Sequence, residues 1–168
     1  MGREAGPTVR TDRRSTGGDV AQAYRARSDQ EPGLGGPGSG DQAGQLPCEA
    51  LPDRVTVEVG ADTDYEPDAV VNGGPLAPGD AIAATNPVVV VEVLSPSTES
   101  IDLADKLADY FRLGSIQHYL IVRARWREVI HHSRSGSEIV SRVINIGSIV
   151  LDPPGISIDL ADIYPATG

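Results

Sequence analysis

The chain has 168 residues, 39 % of them apolar, and a net charge of −10. That length allows one domain with its own core, and that charge excludes a protein that binds nucleic acid by bulk electrostatics alone. No apolar run approaches the roughly 20 residues of a membrane helix, the first fourteen residues lack a signal peptide's apolar core, and a single cysteine, Cys48, excludes an intramolecular disulfide, so a soluble, cytoplasmic protein with no membrane partner is expected.

Residues 1–45 read as a disordered, low-complexity arm. Ten of the nineteen glycines lie in residues 1–46, and Gly33 to Gly40 is a flexible run. The folded domain is expected over 46–168. Residues 1–46 carry six arginines against six acids, whereas 47–168 carry eight basic residues against eighteen acids. An anionic substrate of this domain therefore needs a metal ion or a local basic patch.

Val55 to Val59 alternates apolar and polar residues, the pattern of a half-buried strand. Gly60 to Asp64 reads as a turn. Ala69-Val70-Val71 suggests a second strand, closed by Asn72-Gly73-Gly74-Pro75. Val88 to Leu94 is apolar on both faces except at Glu92, as in a central strand covered on both sides. Ser95-Pro96-Ser97-Thr98 is a helix-start signal, and a helix is predicted over 100–113, stopped at Gly114. Its Leu103, Leu107 and Phe111 form the stripe that faces the sheet. Strands are predicted over 118–122, 128–132 and 139–146, then a turn over 150–155 and a short terminal element over 158–164. Strands, helix, strands in that order predict an α+β domain with a mixed central sheet and one flanking helix.

Three residues could carry chemistry. Glu92 interrupts a valine run, and a buried carboxylate costs several kcal/mol unless something meets it; otherwise it sits at the strand's end in solvent. Asp68 follows Pro67 and precedes a strand. It shares one face with Glu92 if the strands pair, or it merely belongs to a turn. Two hard oxygen donors held close suit Mg²⁺ or Mn²⁺. Lys106 is the chain's only lysine and lies in a helical stripe with Asp102 and Tyr110. It is either half of a surface pair with Asp102 or an ammonium that reaches the sheet edge to stabilise charge on a phosphate.

His131 and His132, adjacent on a strand, should point to opposite faces and share no metal. Arg123, Arg125 and Arg127 around Trp126 read as a solvated hairpin tip that could touch a nucleic-acid backbone. Cys48 has no basic partner nearby in sequence. Asp62, Asp64 and Glu66 lack the glycine and closing Glu of a calcium loop.

Glu66-Pro67-Asp68-Ala69-Val70-Val71, Asn86 through Thr98, and Asp102 through Tyr110, with His118-Tyr119-Leu120-Ile121-Val122 after them, resemble the restriction-endonuclease-like family of the Uma-two type, in the PD-(D/E)XK nuclease superfamily. The resemblance covers about residues 46–164. It implies a restriction-endonuclease-like core and Mg²⁺- or Mn²⁺-dependent hydrolysis of DNA phosphodiester bonds. Asp68 and Glu92 would be the motif carboxylates, the Val93 carbonyl a further metal ligand, and Lys106 the catalytic lysine, moved onto the helix from the position that Leu94 occupies. Binding to DNA would be weak given the acidic charge, and a homodimer is compatible. The family's usual opening segment, of the type Tyr-Glu-Leu-Ile-Asp-Gly with a long helix, has no counterpart in residues 1–46, so the resemblance also allows an inactive or truncated member that acts as a binding or assembly module.

Overall fold

The computed structural model describes residues 48–51, 55–74, 82–94 and 103–164. The arm over 1–45, the Ser95–Thr98 helix-start signal and Asp102 lie outside the described residues. The strands are β1 (Cys48–Leu51), β2 (Val57–Gly60), β3 (Thr63–Tyr65), β4 (Ala69–Gly73), β5 (Pro87–Leu94), β6 (His118–Arg123), β7 (Glu128–Ser135), β8 (Glu138–Ile144), β9 (Ser148–Leu151) and β10 (Ile156–Asp159). The helices are α1 (Leu103–Arg112) and α2 (Leu160–Ile163).

Six strands form the central sheet in the order β1-β4-β5-β6-β7-β8. Only the β5–β6 pair is parallel, so the sheet is mixed. Every residue of β5 is buried, because the valine run meets a layer on each side. Val89, Val91 and Val93 join a core with Leu120, Val122, the β9–β10 hairpin and α2. Val90 and Leu94 join another with Tyr110, Phe111 and Ile116, together with Val57 of β2. Each layer stabilises β5 by removing apolar area from water, at about 25 cal/mol per Å². Glu92 falls on the second face, beneath α1.

The register of β4 on β5 is pinned at one end. Asn72 accepts from the Asn86 amide at 2.7 Å and donates to Thr85 Oγ1 at 3.3 Å, while Asn86 Nδ2 donates to the Gly73 carbonyl at 3.1 Å. Gly73 lies so close to β5 that a Cβ there would meet Val88 Cγ2 at 2.7 Å. With Ala69 opposite Val91, β4 begins beside the end of β5 that carries Glu92.

Several expectations change. The predicted turn over 60–64 is shorter, because Thr63 and Asp64 belong to β3, which pairs with β2 in a separate hairpin outside the main sheet. The predicted turn over 150–155 begins later, because Val150 and Leu151 belong to β9. A second helix, α2, follows β10, capped by Asp159, whose carboxylate accepts from the Ala161 amide. His131 and His132 do face opposite sides. His131 meets His118 at 3.0 Å, whereas His132 meets Ser141 Oγ at 2.7 Å and stacks on Tyr119.

Candidate active site

Glu92 stands two residues before the end of β5, 5 % exposed. A lone carboxylate there would be untenable. Two donors from α1 meet the same oxygen: Lys106 Nζ lies 2.7 Å from Glu92 Oε1, and the Tyr110 hydroxyl donates to it at 3.0 Å. Lys106 and Tyr110 are four residues apart and therefore one above the other on the helix. Tyr110 is fully buried and Lys106 partly so. The stripe predicted to lie beside the apolar one thus also turns toward the sheet.

Asp68 is held differently. Its Oδ2 accepts from the Val93 amide at 2.7 Å, across the β4–β5 boundary. Asp68 directly precedes β4 and Glu92 lies next to Val93 on β5, so the two carboxylates belong to the same end of the sheet. Each has one oxygen occupied by a donor from the fold. The remaining oxygens, Asp68 Oδ1 and Glu92 Oε2, have no hydrogen-bond partner among the described residues.

Aromatic side chains wall the site. Lys106 Nζ sits 5.1 Å from the Tyr65 ring centre, a cation–π contact. The Tyr65 hydroxyl donates to Asp109 at 2.7 Å and ties the β2–β3 hairpin to α1; that bond, more than burial, pushes its pKa up. Tyr110 packs on both Tyr65 and Tyr119, with ring centres 5.3 and 5.0 Å apart. Burial first, and then the nearby Glu92, push the Tyr110 and Tyr119 phenols well above the ordinary tyrosine range. Both stay protonated, so Tyr110 remains a donor to Glu92. The buried Tyr119 hydroxyl has no hydrogen-bond partner among the described residues. Sequence reasoning passed over Tyr110 as a site residue, although its place four residues after Lys106 was a usable signal. Tyr119 and Tyr65 carried no such signal.

Carboxylates are the donor type a hard divalent cation takes, and Asp68 and Glu92 each use one oxygen for a contact within the fold. No group of three or more His, Cys, Asp or Glu side chains that could hold a metal occurs among the described residues, so any ion here would rest on two carboxylates, a carbonyl, water and substrate.

The fold is a mixed α+β sheet with a helix packed over Glu92 and carrying Lys106. Residues 42–161 match the model of the Uma2 family, described as "Putative restriction endonuclease", and the chain belongs to that family. A solved structure described as "a putative nuclease belonging to DUF820", from Anabaena variabilis, matches with a TM-score of 0.64 and 14 % sequence identity, covering 94 % of this chain and 83 % of that one. At that identity the likeness concerns the fold alone. No curated protein matches the chain.

Proposed function

We propose that this protein is a metal-dependent endonuclease that hydrolyses phosphodiester bonds in DNA. The observation that carries the proposal is the 2.7 Å contact of Lys106 with a buried Glu92, whose neighbour Val93 donates its amide to Asp68. Asp68, Glu92 and the Val93 carbonyl would hold Mg²⁺ or Mn²⁺. When bound, such an ion supplies Lewis-acid polarisation of the phosphate and a water nucleophile at neutral pH. Tyr110 and Lys106 fix the Glu92 carboxylate, and the Val93 amide fixes that of Asp68, so both are oriented before substrate arrives. The Lys106 ammonium would stabilise the negative charge that grows on a phosphate bound at these acids. No described helix is long and apolar enough to cross a membrane, and the proposed setting is the cytoplasm, where a single cysteine stays reduced.

Titration with Mn²⁺ tests the reading. The parent chain should bind the ion, and Asp68→Asn, which keeps an acceptor for Val93, should lose that binding. In a Mg²⁺ cleavage assay Glu92→Ala and Lys106→Ala should lose activity; equal activity in the parent and both variants would mean contamination and sink the proposal. The second reading, a non-enzymatic binding or assembly module, draws on the directness of the Lys106–Glu92 pair, which satisfies one carboxylate without any metal. It requires that Mn²⁺ not bind while the chain stays folded.

A further inference from the structure

The β6–β7 connection is a basic tip whose place in the sheet gives it a use. β5 and β6 run parallel with Glu92 beside Ile121 and Leu94 beside Arg123. Partners across a parallel pair share a face, so the Arg123 side chain rises from the same face as Glu92. It stands one strand over and two residues further toward the open end of the sheet, about 8 Å away at Cα by ordinary strand spacing. The turn that follows, residues 124–127, extends beyond that end. Arg125, Trp126 and Arg127 are exposed there, Trp126 at 54 %.

The arginines are not equivalent. Arg123 pairs with Glu128 at 2.6 Å. Arg127 turns back to donate to the Tyr164 carbonyl. Arg125 makes no ion pair among the described residues. The Trp126 ring carries the Arg123 and Arg125 guanidinium groups at 5.6 and 5.3 Å from its centre. Indole faces hold cations, and this one holds two guanidinium groups at a sheet end that also carries Asp68 and Glu92. With arginines against its ring, Trp126 acts as a support for cations.

Resting on the nuclease reading, we infer that the Arg123–Arg125–Trp126 tip grips the DNA backbone beside the phosphate to be cut. The charge of the chain favours such a grip. The domain over 47–168 carries eighteen acids against eight basic residues, so a duplex approaching Asp68 and Glu92 meets repulsion unless a local cationic surface offsets it. Guanidinium groups match phosphate oxygens in geometry as well as charge. The tip has three arginines against one glutamate over residues 123–128. Arg125 supplies a charge that no ion pair among the described residues offsets, Trp126 orders it, and Arg123, already tethered to Glu128, sets the approach. This grip carries no base-specific information.

Binding of a labelled duplex to the full chain, followed by fluorescence anisotropy in EDTA across a salt series, tests this. Arg125→Ala should weaken binding about tenfold at low salt and lower the slope of log K against log salt by about one, the loss of one phosphate contact. Trp126→Ala should lower affinity while Arg125 remains. Arg142→Ala, an exposed arginine on β8 with the same change in charge, should leave the slope unchanged. Equal effects of Arg125→Ala and Arg142→Ala would reduce the tip to bulk charge and overturn the inference. An unaltered slope for Arg125→Ala would do the same, and if Asp68→Asn still abolished cleavage the nuclease reading would stand without it. A parent chain that neither binds nor cuts the duplex would overturn both.

Discussion

Glu92 survives in the core because the helix above it brings donors to it. Lys106→Met would leave the carboxylate 5 % exposed with only the Tyr110 hydroxyl on Oε1. Breaking one side of a buried pair costs more than the pair contributes, so a loss of about 2–4 kcal/mol is expected in urea denaturation, at the lower end because Lys106 itself reaches solvent. Adding Glu92→Gln should recover part of that loss, since the stranded charge is gone. A double variant no more stable than Lys106→Met alone would show that the pair is not the source. At this scale Glu92 was legible because a carboxylate inside a valine run demands an explanation, and Lys106 because it is the only lysine. Tyr110 was signalled by its place four residues after Lys106, but its bond to Glu92 also depends on how far α1 tilts over the sheet, which helical spacing alone does not fix. The Tyr119 hydroxyl, which has no hydrogen-bond partner among the described residues, carried no signal in the sequence.

The elements place these side chains, and two contacts control the placement. Arg134 on β7 donates to the carbonyls of Phe111, Leu113 and Ile116, at 2.9, 3.0 and 3.0 Å, and its guanidinium lies over the Phe111 ring. It satisfies carbonyls at the end of α1 and complements the negative end of the helix. Arg134→Ala should lower stability by about 1–3 kcal/mol and loosen α1 over the sheet. The check is calorimetry together with exchange of the Tyr110 and Phe111 amides, which should speed up more than those of β5. Gly73→Ala tests the other end of the register. The added Cβ would collide with Val88 Cγ2 at 2.7 Å, a contact with a stiff β-branched neighbour, so a cost of about 1–3 kcal/mol from overpacking is expected in thermal unfolding. A variant as stable as the parent would mean that β4 can shift on β5, and with it Asp68 relative to Glu92. The long elements were legible because their periods are plain: β5, β6, β7, β8 and α1 all lie close to their predicted spans. β3 was not, because Thr63-Asp64-Tyr65 has three residues and little apolar content. β9 was partly hidden because Val150 and Leu151 run directly into Asp152-Pro153-Pro154-Gly155, and turn chemistry overshadowed the strand before it.

On the scale of the whole molecule the sheet divides its work between faces. One carries the candidate site; the other buries a histidine pair that no metal or substrate in the proposed reaction uses. His118 Nδ1 and His131 Nε2 are 3.0 Å apart, both residues are buried, and His118 Nε2 has no hydrogen-bond partner among the described residues. Burial first, then the fields of His118, Arg142 and His132, hold the pKa of His131 down to about 4. Burial also lowers that of His118, against the opposing pull of the Pro153 and Asp152 backbone and the Asp152 charge. Both rings are therefore neutral in the folded protein at neutral pH, while in the unfolded chain they titrate near about 6.5. Between that value and about 4 the unfolded chain binds protons that the folded one refuses, so stability falls as the pH falls through this window and is fully present above it. Protonating both rings at 3.0 Å would also set two cations against each other in a low-dielectric layer. The carboxylates of this acidic chain add their own acid dependence, so the diagnostic is a difference. Thermal unfolding of the parent and of His131→Gln, followed from neutral pH to about 4, should converge as the pH drops, because the variant escapes a penalty of a few kcal/mol that the parent incurs. Parallel curves would show that the histidine pair is not the source of the acid sensitivity.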